Sequence, residues 1–507
     1  MSPKENNMRI AKNTLLLYFR MFLTMIISLF TTKVILQTLG VNDYGIYNVV
    51  GGVVAMMGIL NSAMAVASQR YLTFELGRNN FEYLKVVFNV SIAIYLIIAA
   101  IILVLAETVG LWFLNTQLTI PDERMTAANW VYQFSILCCI IELLLSPYKA
   151  SIIAHEKMGT YAYVSIFDSV LKLIIVYLLY LSPCDKLASY GFLHLVVVAS
   201  IAVIYYLYCR SKFKECRYCF LFDKQLFKEL LSYSGWNMFG SAASLVKGQG
   251  INVLLSMFFL PVVNAARGIA YQVNAVVTLF FTNFYTAVRP QITKYYAQGD
   301  MNNMLLLVFR STKMACFLIA FVSLPIIIEA PFVLYLWLGT LPEYVVPFVR
   351  IIIIITMIDS MSNPLMTVAH ATGKIKMYQF VVGMMNILIL PISYISLKLG
   401  AGPISVFLIS LCMSVLCFGA RLVVVKKLVD FPVFNYVLHA LVPCMFVVVI
   451  SSIPPIITHL YLPHSFSFVF VTGVVSVIAT SICIYTIGLN VAERQFVYKT
   501  IKKRLHV

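Results

Sequence analysis

Apolar stretches of about twenty residues recur along the whole chain, as from Val86 to Leu105 and from Phe466 to Ile487. A helix needs roughly 20 residues to cross about 30 Å of hydrocarbon, whereas a barrel strand needs about half as many. In lipid, only helices or closed barrels satisfy every backbone hydrogen bond, and runs of this length favour helices. With 61% hydrophobic and 11% charged residues, the 507-residue chain lacks the polar surface of a soluble globule. The sequence therefore predicts an all-α, polytopic membrane protein.

The apolar pattern predicts about fourteen transmembrane helices. They are placed at 13–39, 46–68, 86–112, 125–146, 161–181, 191–209, 236–258, 270–288, 305–328, 344–362, 378–397, 403–420, 438–458 and 466–488. The longest and most basic stretch between them is 210–235, which we interpret as a cytoplasmic linker. We therefore expect an N-terminal six-helix bundle (1–209), the linker, a C-terminal six-helix bundle (236–430), two additional transmembrane helices (431–489) and a basic cytoplasmic tail (490–507).

Two amphipathic segments are predicted to lie on the inner leaflet. In the linker, Asp223 is expected to cap a short interfacial helix with an apolar face. The basic tail after Asn490 has a similar apolar side, and its charge favours anionic lipid. The apolar residues concerned are Leu226, Phe227, Leu230 and Leu231 in the linker, and Val497, Ile501 and Leu505 in the tail.

Lys and Arg residues set the expected orientation. If the N-terminus is cytoplasmic, most of the 37 basic residues fall in inner segments, and few fall in outer loops. The opposite orientation would reverse this bias. We therefore expect a multi-pass membrane protein with both termini in the cytoplasm. Inner-loop charge explains the net charge of +17, so nucleic acid is not an expected partner.

The eighth predicted crossing has a polar face along its whole length. Its members recur at steps of three or four residues: Arg267, Tyr271, Asn274, Thr278, Thr282, Tyr285 and Arg289. Lipid penalises such a stripe, so it must face other helices or an aqueous cavity. The seventh crossing carries Lys247 and the first carries Arg20 on similar faces. These residues are the candidates for substrate binding.

Each charge at mid-membrane needs an explanation, because its insertion costs about 2.5–3.5 kcal/mol or more. Arg20 and Lys247 have no acid one turn away, so either an anionic ligand or a distant acid must compensate them. Asp168 and Lys172, four residues apart, are predicted to form a structural ion pair. Glu142 and Asp359 are lone acids, for which a coupling cation, a carried proton or an interhelical hydrogen bond are equally good explanations.

No catalytic motif accompanies these residues. The sequence contains no Gly-rich phosphate loop, no H-E-x-x-H and no nucleophile elbow, and its seven histidines are scattered. Cys216 and Cys219 form a lone C-x-x-C without a second pair, so a zinc site is not expected. The sequence therefore predicts a transporter rather than an enzyme, with neither cofactor nor metal.

The run from Leu39 to Tyr47, followed by a small-residue helix ending in Arg70, resembles the N-terminal signature of bacterial polysaccharide flippases. Arg289, Pro290 and Gln291 resemble the end of the eighth helix in that family. The family is the Wzx-type branch of the multidrug, oligosaccharidyl-lipid and polysaccharide exporter superfamily. Residues 61–63, Asn-Ser-Ala, depart from the glycine typical near the end of its second helix.

The resemblance implies a flippase that moves undecaprenyl-pyrophosphate-linked oligosaccharide repeat units (O-antigen or capsule) to the periplasmic leaflet by alternating access between two six-helix bundles. Expected partners are the lipid-linked oligosaccharide, membrane lipid and other polysaccharide-assembly proteins. One alternative is a cation-coupled multidrug exporter of the same superfamily, which should have a more acidic cavity. A membrane-embedded glycosyltransferase or polymerase is disfavoured, because the outer loops are short.

The predicted orientation can be tested with a membrane-impermeant thiol reagent. Applied to whole cells, it should label Cys184 in an outer loop and spare Cys216 and Cys219 in the linker. Permeabilised cells provide the control for reactivity. Labelling of the C-x-x-C pair from outside would contradict the orientation.

Overall fold

The computed structural model describes residues 3–117, 120–179, 185–217, 219, 221–461, 466–491 and 493–495. These residues are predominantly helical and contain no strand. The chain divides into two compact units: unit 1 comprises 1–238 and 293–299, and unit 2 comprises 239–292 and 300–507. The predicted all-α membrane fold is confirmed.

Unit 1 begins with a helical segment, Pro3–Arg78, that is interrupted at Gly40. Gly40 has φ 79° and ψ 168°, a conformation that glycine adopts without the penalty that a Cβ imposes. We label the parts before and after it α1 and α2. The helices that follow are α3 (Phe81–Leu105, continued by a π-helical turn and Leu111–Thr116), α4 (Asp122–Ala154), α5 (Met158–Leu178) and α6 (Lys186–Lys212).

Unit 2 contains most of the remaining helices. In chain order they are α7 (Lys224–Phe258), α8 (Pro261–Ala297), α9 (Met301–Ile328), the short α10 (Ala330–Leu338), α11 (Val345–Thr372), α12 (Lys376–Lys398), α13 (Ile404–Val429), α14 (Val433–Tyr461, including a π-helical turn) and α15 (Phe466–Cys483, followed by a π-helical turn to Gly488). The first residues of α7, up to Met238, and the last of α8, from Thr293, belong to unit 1.

Each of the fourteen predicted crossings coincides with one of these helices. Within the described residues, eleven helices are long and apolar enough to cross a membrane. Neither α7 nor α8 is among them, although both have sufficient length. Their polar residues lower the mean hydropathy, which makes them the helices most in need of polar neighbours.

In the described part of the linker, a single 3-10 turn (Lys214–Cys216) precedes Asp223, and the segment that Asp223 caps is not a separate helix. Asp223 accepts hydrogen bonds from the backbone N–H groups of Gln225 and Leu226, as a cap should, but the helix then runs unbroken to Phe258. Leu226 and Leu230 are buried within the protein. The expected short helix is therefore the first part of α7, where these leucines pack against protein, and its placement on the inner leaflet stays a prediction.

Two further sequence-based expectations concern residues at or beyond the edge of the described structure. Cys184 and the apolar tail residues Val497, Ile501 and Leu505 lie outside the described residues. Cys216 is buried, so in the labelling experiment Cys219 is the more informative thiol of its pair.

The polar start of α2 is held by ion pairs in unit 1. Arg124, at the start of α4, contacts both Asp43 and Asp185, and its Nε donates to Asp43 at 2.9 Å. Asp185 also caps α6 by accepting from the Ala188 backbone N–H at 3.0 Å. Burial raises the pKa of Asp185, but the Ala188 N–H and the Arg124 guanidinium outweigh it and keep that pKa below its ordinary value.

The last two helices pack against α9 in unit 2. An apolar cluster joins Phe317 of α9 to Val447 of α14 and Cys483 of α15. Beside it, the Lys313 ammonium lies 2.6 Å from the Glu493 carboxylate and 3.3 Å from the Gly488 carbonyl oxygen. Both charged side chains are buried, and Arg310 also lies 3.4 Å from Glu493, so Lys313 depends on this carboxylate for its counter-charge.

Removing one member of this buried pair should destabilise unit 2. We expect Glu493→Gln to lower the free energy of unfolding by about 3–5 kcal/mol, because Lys313 loses its counter-charge. Thermal unfolding of the purified protein in detergent measures the change. The exposed Glu343→Gln is the matched control. An unchanged melting temperature for Glu493→Gln would contradict the assignment.

Candidate functional site

Unit 2 contains a polar cavity of about 300 Å³ formed by five helices. Ser244, Lys247 and Gly248 come from α7, and Tyr271 comes from α8. The other walls are Asp359 of α11, then Met385, Asn386 and Ile389 of α12, and Met413, Ser414, Cys417 and Arg421 of α13. Both α7 and α8, which are not among the eleven apolar spans, thus contribute to this cavity.

The positive charge of Lys247 is only weakly compensated by its neighbours. Its Nζ donates to Asn386 Oδ1 at 3.4 Å, beyond the usual range of such hydrogen bonds. An ammonium group has three donors, and a neutral amide offers it no counter-charge. In the cavity, Lys247 therefore keeps most of its capacity to bind an anion.

Arg421 is the second cation of the cavity. Its Nη1 lies 3.7 Å from Asp359 Oδ1, which is an ion pair but too long for a direct hydrogen bond. Its Nε is buried and has no hydrogen-bond partner among the described residues. Unpaired buried donors cost free energy, so they are candidates for ligand contact.

Asp359 is the carboxylate that faces these two cations in the cavity. Its Oδ1 accepts a hydrogen bond of 3.0 Å from the Ser414 hydroxyl, and the side chain is 42% exposed. The cavity wall thus holds two cations and one carboxylate. It carries an excess of positive charge.

A third cation lies behind the cavity wall. The Arg267 guanidinium stacks over the Tyr271 ring, 4.6 Å from its centroid, and donates to the Gly248 carbonyl oxygen at 2.6 Å. Its Nη1 also donates to Asn252 Oδ1 at 3.4 Å. Arg267 therefore fastens α8 to α7 and positions Tyr271 at the cavity.

The remaining predicted residues of α8 have packing contacts. Asn274 Oδ1 accepts a hydrogen bond of 2.7 Å from Thr356 of α11. Tyr285 is completely buried and donates to the Ser360 carbonyl oxygen at 2.9 Å, so its ring has no face for a sugar in this structure. Its hydroxyl therefore serves helix packing here, and its substrate role stays a prediction. Arg289 is half-buried on the same helix and does not line the cavity.

Four predicted residues belong to unit 1 instead. The Arg20 guanidinium lies over the Tyr161 ring, 4.9 Å from its centroid. Lys172 Nζ lies 2.9 Å from Asp168 Oδ2, and Glu142 is exposed on α4. None of them lines the unit 2 cavity.

Sequence reasoning missed Arg421, Asn386 and Ser414. The twelfth predicted crossing ends at residue 420, one residue before Arg421, so this cation is not among the predicted intramembrane charges. The signal was present, because Ser410, Ser414, Cys417 and Arg421 recur at steps of three or four, like the face of α8. Within the described part of the chain, no group of three potential metal ligands comes together.

No family model and no curated protein sequence matches the chain. Solved structures do share its fold. The outward-facing conformation of a multidrug resistance MATE family transporter of the MOP superfamily superposes with a TM-score of 0.70 at 12% identity, covering 85% of this chain and 96% of that one. The MATE transporter ClbM in complex with Rb⁺ gives 0.70 at 15% identity, with coverages of 83% and 96%.

A MOP superfamily transporter from Pyrococcus furiosus, described as having a binding pocket of reverse polarity that suggests a different function, gives a TM-score of 0.65 at 13% identity. Its alignment covers 84% of this chain and 97% of that chain. The chain thus has the fold of MATE transporters over most of its length.

The ion pair of Asp168 and Lys172 can be separated from a transport role by a double-mutant cycle. Each single replacement, Asp168→Asn or Lys172→Gln, leaves a partly buried charge unpaired and should lower protein level or activity. The double replacement should recover much of both. Membrane protein level and activity are measured together. A double variant that folds well but stays inactive would assign the pair to transport.

Proposed function

We propose that the protein is a flippase that moves anionic, lipid-linked oligosaccharide units across the membrane. The observation that carries the proposal is the excess of cation over carboxylate in the unit 2 cavity, where Lys247 and Arg421 face Asp359. The MATE-like fold supports a transport activity. The sequence resemblance to Wzx-type polysaccharide flippases supplies the substrate class.

The cavity chemistry suits a lipid-linked glycan. Each sugar hydroxyl that enters hydrocarbon unpaired costs roughly 4–8 kcal/mol, so the glycan needs a polar path while its lipid tail stays in the bilayer. Charge-assisted hydrogen bonds from Lys247 and Arg421 would hold a pyrophosphate or an acidic sugar. Tyr271, held in place by Arg267, adds an aromatic surface beside them.

The proposal includes a location and a direction. We propose that both termini are cytoplasmic, from the distribution of Lys and Arg, and that the membrane is the bacterial inner membrane, from the resemblance to bacterial polysaccharide flippases. The substrate is undecaprenyl-pyrophosphate-linked and moves to the periplasmic leaflet, for surface polysaccharide synthesis. No nucleotide-binding motif is present in the sequence, so the driving force is an ion gradient, the membrane potential or removal of product.

The second candidate is a cation-coupled multidrug exporter. The solved structure of a multidrug resistance MATE transporter supports it, because the fold is shared. Such a protein needs negative charge to hold a cationic drug, whereas here the single cavity carboxylate faces two cations. The charge of the cavity is the reason for preferring an anionic substrate.

Complementation of a flippase-deficient strain tests the proposal. Lys247→Gln should weaken substrate binding by about 1–3 kcal/mol, the range of a charge-assisted hydrogen bond, and Lys247→Glu should be worse. We expect the same order for Arg20, whose guanidinium also lies on a polar helical face. Surface polysaccharide is the readout, and membrane protein level controls for folding.

The exposed Lys398→Glu, on α12 outside the cavity, is the matched charge-reversal control. Normal polysaccharide from Lys247→Glu and Arg20→Glu at normal protein level would contradict the anionic-substrate proposal. Resistance to cationic drugs, measured in the same strains, would then favour the exporter.

A further inference from the structure

We propose that the unit 2 cavity holds one acidic pyranose ring of the glycan, a uronic acid, and that Asp359 selects this ring against phosphate and pyrophosphate. The inference rests on the proposed function and deepens it by naming the part of the substrate that enters the cavity. It follows from the juxtaposition of two cations, an aromatic ring and a partly exposed carboxylate in one cavity.

The two cations of the cavity provide donors for one carboxylate. Lys247 Nζ has a long contact of 3.4 Å with Asn386, and Arg421 Nε is buried without a hydrogen-bond partner among the described residues. A carboxylate accepts from ammonium and guanidinium groups alike, through charge-assisted hydrogen bonds. Phosphate oxygens accept in the same way. The cations therefore call for an anion but do not decide which one.

Asp359 places a second requirement on the occupant. Within the described part of the chain, its contacts with polar groups engage Oδ1 alone: the Ser414 hydroxyl donates at 3.0 Å, and Arg421 Nη1 lies at 3.7 Å. Its Oδ2 thus keeps its capacity to accept, and the side chain is 42% exposed. An ionised carboxylate accepts hydrogen bonds and donates none. A group that lies beside Asp359 must therefore bring donors of its own.

A uronic acid meets both requirements, whereas a lipid-linked pyrophosphate meets one. At neutral pH the pyrophosphate carries two negative charges and no hydrogen-bond donor, so it would pair with the cations but repel Asp359. A uronic acid carries one carboxylate for the cations and several hydroxyl groups that donate to Asp359. Like-charge contacts and unpaired polar groups are the usual means by which a protein rejects a competing ligand. Asp359 is therefore a specificity determinant of the cavity.

The remaining walls and the size of the cavity suit a single sugar ring. Tyr271 is 38% exposed and lines the cavity, and Arg267 covers one face of its ring, so the opposite face is the one that can pack against a pyranose. The side-chain amide of Asn386 adds a donor as well as an acceptor. A volume of about 300 Å³ equals that of roughly ten water molecules in the liquid, which accommodates one ring but not several.

Four probes test the inference on the purified full-length protein in detergent, at one neutral pH. Methyl glucuronide carries ring and carboxylate, methyl glucoside the ring alone, acetate the carboxylate alone, and pyrophosphate charge without donors. Stabilisation against thermal unfolding at rising probe concentration measures the affinities, including weak ones. We expect glucuronide to bind about 10- to 150-fold more tightly than glucoside, the range of a hydrogen bond to a charged group, and more tightly than acetate and pyrophosphate. This comparison needs no variant.

Variants separate selection by Asp359 from a structural role. Asp359→Asn should lower the ratio of glucuronide affinity to pyrophosphate affinity by at least about tenfold, because the amide no longer repels phosphate. A purely structural loss would weaken all four probes in proportion and leave this ratio unchanged. Tyr271→Leu should weaken binding of glucuronide but not of acetate or pyrophosphate. Asp430→Asn is the matched control, since Asp430 is exposed and in a left-handed conformation that Asn tolerates.

Pyrophosphate that binds the unaltered protein as tightly as glucuronide, or an unchanged affinity ratio in Asp359→Asn, would overturn the inference. The first of these results would assign the cavity to the head group of the carrier lipid and leave the flippase proposal standing. Selective glucuronide binding together with failed polysaccharide complementation would instead reject the flippase and retain the sugar site. The two proposals therefore fail separately.

Discussion

The free energy of an under-compensated charge within a membrane protein is the constraint on which the rest of this structure depends. Lys247 and Arg421 both lie among transmembrane helices, and neither has a short contact with an acid. Such charges persist only where water or a ligand reaches them. Helices α7, α8, α11, α12 and α13 therefore have to enclose a polar cavity. The low hydropathy of α7 and α8 follows from the same requirement, since these helices need not face lipid.

The helices of this fold could be predicted because lipid imposes one dominant rule, that long apolar runs become helices. Every predicted crossing has its helix. The hydropathy pattern did not show that the capped linker segment and the seventh crossing form one continuous helix, α7. Leu226 and Leu230 pack in the protein rather than in the interface. An apolar helix face can pack against protein or lie in the membrane interface, so the sequence pattern does not distinguish the two. The gap between the crossings predicted at 13–39 and 46–68 does include Gly40, where the structure interrupts the helix.

The candidate site was predictable only in part. Periodicity correctly grouped Lys247 and Tyr271 on polar faces, and both line the cavity. It also grouped Tyr285, which is buried among helices, because a polar stripe does not state which of its members meets water and which donates to a neighbouring carbonyl. Arg421 was missed since the end of a helix is the least certain part of a hydropathy prediction. Partners on distant helices, such as Asn386, are set by packing, and a single sequence does not encode that packing in any local pattern.

The completeness of charge pairing separates structural from functional polar groups in this protein. In unit 1, the buried Glu156 carboxylate is shared by Arg9 at 3.2 Å and Lys294 at 2.5 Å, and Asn13 donates to the Glu156 carbonyl oxygen. Such a set is saturated and fixes the chain where it lies. In the unit 2 cavity the contacts are longer and buried donors remain unused. A protein does not gain stability from that arrangement. This arrangement is the basis for our proposal that a ligand completes it, and the sign of the excess charge is the reason for proposing an anion.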